Sequence, residues 1–255
     1  MITLFCDLDN TLIYSHRRKL GASKRVAEML HGKEQSYITA KTFDFLSSCQ
    51  EVSTVAVTTR TMAQYDRVQE LLHSISSECA LVLNGAVLLK NGIQDESWLA
   101  DSIRKVKNAA AEMNKAKKLL EHYANKTVRY SDSFLTYIDV GEPPKLIELL
   151  EEEIDAKVVN VFCDSRKVYC APTAINKGTA VAKFKEQFKT GLTVGVGDSL
   201  NDISMLEHVD VPILPRLLSC YISNPHKIVV PESQVLSDAA CDEISKLIKY
   251  NSDFR

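Results

Sequence analysis

The chain has 255 residues, 45% of them hydrophobic and 25% charged, enough to bury a full core and to divide into two domains. A formal net charge of -2 excludes the basic excess that tracks along nucleic acid, so any pull on an anionic ligand has to be local. No apolar stretch approaches the roughly 18 residues of a membrane span, and the N-terminus lacks a basic leader with a cleavage site, so a cytoplasmic protein without membrane or nucleic-acid partners is expected. Seven cysteines, odd in number and without a C-x-x-C pair, argue against a disulfide framework or a zinc site.

Residues 2–8 form an apolar run that reads as a buried strand, with Cys6 a small interior residue, and the run ends in Asp7-Leu8-Asp9. Residues 15–38 are irregular: basic His16-Arg17-Arg18-Lys19, a mixed helix-like stretch through Leu30, then His31-Gly32. They are either a surface flap or a loop reaching over a site, and the pattern does not separate the two. Helical period over 42–49 and 61–73 alternates with strand-like 52–57 and 81–83, and Asn84-Gly85 and Asn91-Gly92 mark tight turns.

Between residues 91 and 168 the pattern changes. Leu99, Ile103, Val106, Ala110, Met113 and Leu120 fall on one face of a long charged helix beginning near Ser97. Strand-like 136–140 follows, then a helix with Pro144 in its first turn and Leu146, Ile147, Leu150 and Ile154 on its apolar face. Strands over 158–162 and 167–170 flank a turn at Asp164-Ser165-Arg166, where Arg166 is an exposed turn residue or a substrate contact, and Glu151-Glu152-Glu153 reads as a solvated helix face. After Lys177, residues Ala180, Val181, Phe184 and Phe188 share a helix face, and the apolar run 192–196 leads into Gly197-Asp198-Ser199-Leu200-Asn201-Asp202. The expected architecture is α/β: a Rossmann-like doubly wound parallel sheet from residues 1–90 plus 169–255, with 91–168 an inserted α+β module.

Chemistry collects where the strands end. Asp7 can supply a carboxylate nucleophile and Asp9 a second carboxyl that moves a proton, with like charge pushing Asp9 towards its protonated form. Asp198 adds a carboxylate at another strand end, and such an oxygen-rich site suits Mg²⁺ rather than zinc. Thr58 sits at a strand-to-helix turn fit either to hold phosphate oxygens or to cap the next helix, and Arg60 either aids a phosphate or points to solvent. Lys177 opens a helix, where a cation is disfavoured by about 0.3–1 kcal/mol unless an anion lies in front of it. Gly195 and Gly197 allow close backbone approach, and Asn201 and Asp202 fall in the first turn of the helix carrying Ile203 and Leu206.

Asp7-Leu8-Asp9-Asn10-Thr11, Thr58, Lys177 and Gly197-Asp198-Ser199-Leu200-Asn201-Asp202, in this order, resemble the four motifs of the haloacid dehalogenase superfamily of phosphatases. The insert resembles that superfamily's C2 type of cap, in the smaller form of sucrose-phosphate and mannosyl-3-phosphoglycerate phosphatases, and residues 205–214 resemble the latter most. The resemblance implies a Mg²⁺-dependent phosphomonoesterase of a small phosphorylated metabolite. Asp7 would form an aspartyl-phosphate, Asp9 act as general acid and base, and Thr58, Lys177 and Asn201 bind the phosphoryl group. Asp7, the backbone carbonyl of Asp9, and Asp198 would hold the metal, with Asp202 behind them, and the cap would choose the substrate. A phosphotransferase such as a phosphomutase could use the same residues. A dehalogenase is disfavoured by Asp9, a receiver-like signalling module by the chain's length, and a catalytically dead binding module by the presence of every motif residue. Asn10 and Thr59 depart from the usual glycines, residues 15–38 exceed the usual short link, and Pro215-Arg216-Leu217-Leu218 replaces a glycine-rich ending.

Overall fold

In a computed structural model, residues 1–252 are described except 22, 125–127, 132, 141–142 and 165. The first strand, β1 (Ile2–Cys6), is wholly buried and lies at the middle of an eight-stranded sheet. Next come β2 (Tyr14–Ser15), β3 (Lys24–Leu30) and β4 (Lys33–Thr39), which pair antiparallel as a separate three-stranded sheet in the order β2-β4-β3. The helix-like stretch through Leu30 is therefore a strand, and residues 15–38 are a built flap.

Helix α1 (Ala40–Ser48) starts at Thr39, whose hydroxyl accepts the Thr42 amide at 3.1 Å. Strand β5 (Val52–Val57) follows, then two short helices, α2 (Met62–Tyr65) and α3 (Gln69–His73), where one helix was expected, and then β6 (Cys79–Val82). Strands β7 (Val87–Lys90) and β8 (Ile93–Gln94) add to the sheet antiparallel. Its order is thus mixed at one edge rather than parallel throughout, a common finish for an otherwise parallel sheet.

The expected long helix is broken. Helix α4 (Glu96–Val106) passes through a 3₁₀ turn at Lys107–Ala109 into α5 (Ala110–Ala124). The break separates two packing partners. Trp98 is buried among core-sheet side chains and donates its ring N–H to the Gly85 carbonyl, whereas Met113 and Leu120 join a second hydrophobic cluster with Ile138, Leu146 and Val168.

That second cluster is covered by β9 (Arg129–Ser131), β10 (Leu135–Asp139), helix α6 (Pro143–Glu153), β11 (Val159–Asp164) and β12 (Lys167–Pro172), with the sheet order β11-β12-β10-β9. Strand alternation gives this sheet two faces. Ile138, Val168 and Cys170 pack under α5 and α6, while Tyr137, Tyr169 and Phe162 stack on the opposite face.

The chain then returns to the large sheet through α7 (Lys177–Phe188), β13 (Leu192–Val196), α8 (Ile203–Leu206), β14 (Val211–Pro215), β15 (Ile228–Val230) and α9 (Leu236–Ser252). The order β15-β14-β13-β1-β5-β6 is parallel. Apolar residues alternate between two layers: Ile2, Leu4 and Cys6 pack with the side of α1 and α9, and Phe5 and Val55 with that of α7 and α8. All seven cysteines are free, and among the described residues no helix is long and apolar enough to cross a membrane.

Candidate active site

The parallel strands bring the sequence-predicted residues to one edge. Asp7 follows β1 directly and its amide donates to Val196 at the end of β13, so the neighbouring strand ends are held together. Thr58 follows β5, and Asp198 lies two residues beyond β13. Lys177, the first residue of α7, is 2% exposed and sends its ammonium to Asp7 Oδ1 at 2.5 Å and Asp202 Oδ1 at 2.6 Å. The anion that its position at a helix N-terminus called for is thus a pair of carboxylates.

Asp202 is fully buried. Its Oδ2 accepts the amides of Asp198 and Ser199 and the Ser199 hydroxyl, while Oδ1 takes Lys177. Both oxygens are engaged with the loop and the lysine, so Asp202 holds the shape of the loop. Gly197 is required by this packing: a Cβ there would lie 2.4 Å from the Asp202 Cβ. A Cβ on Gly178 would likewise lie 2.3 Å from the Ser204 carbonyl, which fixes how closely α7 approaches α8. Asp198 accepts the Thr11 hydroxyl at 2.9 Å.

Ligand atoms of Asp7, Asp198 and Asp202 lie within 4.8 Å of one another. Three carboxylates thus gather around the Lys177 ammonium. Burial, followed by the charges of Asp202 and Asp198, pushes the Asp7 carboxyl well above the usual carboxylate range despite Lys177. Burial alone would lower Lys177, but Asp202 and Asp7 outweigh it and hold the ammonium protonated. Clustered carboxylate oxygens of this kind fit a hard divalent cation.

Asp9 departs from expectation. Its carboxylate is gripped by Arg60, Nε to Oδ2 at 2.8 Å and Nη2 to Oδ1 at 2.7 Å. Burial would raise Asp9, but these hydrogen bonds and the guanidinium charge hold it below the usual range. The proton expected on Asp9 from like-charge repulsion is therefore not favoured here. With its side chain turned to Arg60, Asp9 stands outside the carboxylate cluster, which leaves only its backbone carbonyl for the ligation the resemblance implies. Arg60 itself, 8% exposed, neither points to solvent nor stands free for a phosphate.

The Thr58 hydroxyl accepts the Arg60 amide at 3.1 Å, and as a hydroxyl it still has a proton to donate. Asn201 donates its amide to Asn84 Oδ1 at 3.4 Å. Asn84, read in the sequence only as a turn residue, adopts a left-handed φ of 60°, is buried, and donates its backbone amide to the Thr58 carbonyl. It thereby joins the Thr58 and Asp198 loops. The Asn-Gly pair signalled the turn but not this bridge.

Beside Asp9 and Arg60 opens a cleft of about 520 Å³ lined by three parts of the chain. Asp9, Thr59 and Gln64 come from the core, His16, Arg17 and Gln35 from the flap, and Asp139, Lys167 and Tyr169 from the insert's sheet. The flap does reach over the site. Arg166 lines the same cleft while paired with Asp139 at 3.2 Å, and Ser165, in the turn before it, lies outside the described residues.

Acidic residues thus gather at the ends of the central β1 and its neighbour β13, with the α+β insert lining the cleft beside them. The model of the haloacid dehalogenase-like hydrolase family matches residues 91–214, a stretch containing Lys177, Asp198, Asn201 and Asp202. The sucrose-phosphatase of Synechocystis sp. PCC6803, solved with sucrose and phosphate, has a similar fold: TM-score 0.68 and 15% identity, covering 96% of this chain and 97% of that one. The subclass IIB sugar phosphatase BT4131 superposes with a TM-score of 0.59 at 16% identity, over 99% of each chain. In sequence, the chain is 38% identical over 78 residues to a glucosyl-3-phosphoglycerate/mannosyl-3-phosphoglycerate phosphatase of Persephonella marina, a match spanning 29% of each protein.

Proposed function

We propose that the chain is a Mg²⁺-dependent phosphomonoester hydrolase of a small phosphorylated metabolite, a sugar phosphate or a related compound, working through an aspartyl-phosphate on Asp7. The observation that carries this reading is the convergence of Asp7, Asp198, Asp202 and Lys177 at the strand ends, next to Asp9 and the cleft. The sugar phosphatases that share the fold support the substrate class.

Asp7, Asp198 and the Asp9 carbonyl would hold Mg²⁺, with Asp202 positioning them. When bound, the ion offsets the charge that otherwise keeps an anionic phosphoryl group from an anionic nucleophile. An Asp7 oxygen bonds to phosphorus as the bond to the leaving-group oxygen breaks, and Asp9 delivers a proton to that oxygen. Water then attacks the same phosphorus and gives a proton to Asp9, releasing phosphate and restoring the Asp7 carboxylate. The Arg60 guanidinium, which holds Asp9 below the usual carboxylate range, favours the ionised form that this second half requires. Thr58, Asn201 and Lys177 orient the phosphoryl oxygens, and the insert, acting as a cap, closes over the remainder of the substrate.

The test is a screen of phosphorylated metabolites for phosphate release, with Mg²⁺ and with EDTA. Release that needs Mg²⁺ is expected for at least one sugar phosphate. Full activity in metal-free buffer would remove the cation from the proposal, and release from no monoester would remove the proposal itself.

A further inference from the structure

The flap is tied to the site through one buried acid. In β3 the pairing with β4 shifts between Val26 and Glu28, a bulge that turns two successive residues, Ala27 and Glu28, inward. Glu28 is 5% exposed, a placement rare for glutamate unless it is paired. Its Oε2 takes Arg60 Nη2 at 3.0 Å and its Oε1 takes Arg67 Nε at 2.6 Å, while the Ser36 hydroxyl of β4 donates to Oε2 at 3.4 Å.

Arg60 is in consequence held from three sides. It grips Asp9 with Nε and Nη2, Glu28 with Nη2, and the Gln64 carbonyl with Nη1 at 3.1 Å. A guanidinium with only Asp9 as its anion could swing together with that carboxylate. One also anchored to Glu28 presents a fixed fork.

We infer that Glu28 is a positioning residue: from the flap it locks the Arg60 guanidinium, and through it the direction of the Asp9 carboxylate. This rests on the reading of Asp9 as the group that protonates the leaving oxygen. The inserted flap is then part of how the site is aimed. A purely structural flap would have no need to bury an acid facing Arg60, since its pairing with α1 is already made by Arg25 and Asp44 at 2.9 Å on an exposed surface. Loss of Glu28 should disturb proton delivery more than substrate binding. The effect should be greatest where the leaving group is poor and small where it needs no proton.

The experiment compares the wild-type protein with Glu28→Gln, Glu28→Asp and Arg25→Ala, each with Mg²⁺, on the best sugar phosphate from the screen and on p-nitrophenyl phosphate. For Glu28→Gln, the rate constant of the phosphorylation step, read by rapid quench, should fall by about 10-fold or more with the sugar phosphate and by less than about 3-fold with the aryl ester, and KM should stay within about 2-fold. Glu28→Asp, which keeps the charge, should recover part of the loss, and Arg25→Ala should match wild type. Equal losses on both esters, a loss confined to KM, or the same loss in Arg25→Ala would overturn the inference while leaving the phosphatase reading intact. If the wild-type protein releases no phosphate, that reading falls instead, and the anchor is judged by melting temperature. The shifts of Glu28→Gln and Arg60→Gln should then fail to add in the double variant, and additive shifts would overturn the anchor.

Discussion

Replacing Lys177 with Met separates the electrostatic work of this residue from its packing. The side chain is 2% exposed and bonds two carboxylates at 2.5 and 2.6 Å, so its removal leaves Asp7 and Asp202 buried without their cation. Breaking such a pair from one side costs about 3–5 kcal/mol. For a chain of this size each kcal/mol moves the melting temperature by about 2–4 °C, so the metal-free variant should melt about 6–20 °C lower at neutral pH. The loss should depend on pH in a definite direction. The Asp7 carboxyl is already raised in the folded state, and losing Lys177 raises it further. A raised carboxyl contributes stability that is fully present below its unfolded value of about 4 and is lost as pH climbs through the folded value. The deficit of the variant should therefore shrink towards pH 5 and grow towards pH 8. Mg²⁺, by supplying positive charge to the same carboxylates, should raise the variant's melting temperature more than the wild type's. Calorimetry in EDTA and in Mg²⁺ across this range is the assay, and a deficit below about 1 kcal/mol that is flat with pH would refute the reasoning.

Asp7→Asn should abolish turnover and any trapped phosphoenzyme, yet be at least as stable as wild type in EDTA at pH 8, because it removes a costly buried charge. Residual turnover above a trace, or a large fall in melting temperature, would contradict that. Asp9→Asn should slow release from an alkyl phosphate by about 10²- to 10⁴-fold and spare the phosphorylation step with an aryl phosphate, as rapid-quench kinetics would show. Gly197→Ala should cost about 1–3 kcal/mol by forcing a methyl against Asp202, and should weaken Mg²⁺ binding in a titration because Asp202 organises the Asp198 loop.

The carboxylates and Lys177 were legible in the sequence because each sits where a continuous apolar run gives way to a loop or where a helix begins, and both signals are local. The flap was not. Its β3 segment, Lys-Arg-Val-Ala-Glu-Met-Leu, is rich in residues of high helix propensity, and only pairing with β4 imposes the strand. The bulge at Ala27 also breaks the alternation that would have exposed a strand to pattern reading. The pairing of Arg60 was missed for a different reason. Its partners Asp9 and Glu28 lie 51 and 32 residues away, and no spacing rule connects them. The break between α4 and α5 was hidden because apolar positions continue across it with helical period while the surfaces they meet change.

The three walls of the cleft differ in how freely they could change. In the core, site residues share their immediate packing with backbone: Gly197 against Asp202, Gly178 against Ser204, Asn84 against Thr58. A substitution there disturbs geometry and chemistry together. The insert is built the other way. Asp139, Lys167 and Tyr169 face the cleft from strands whose opposite face, Ile138 and Val168 among them, makes the insert's own hydrophobic cluster. Because strand alternation separates the two faces, the cleft side can be exchanged without unpacking the other. The flap lies between these cases, its cleft-facing His16 and Arg17 exposed and its Glu28 buried against Arg60. Packing alone divides the cleft into a core wall tied to backbone, an insert wall backed by its own hydrophobic cluster, and a flap fastened to the core through the pairs of Glu28 with Arg60 and Arg67.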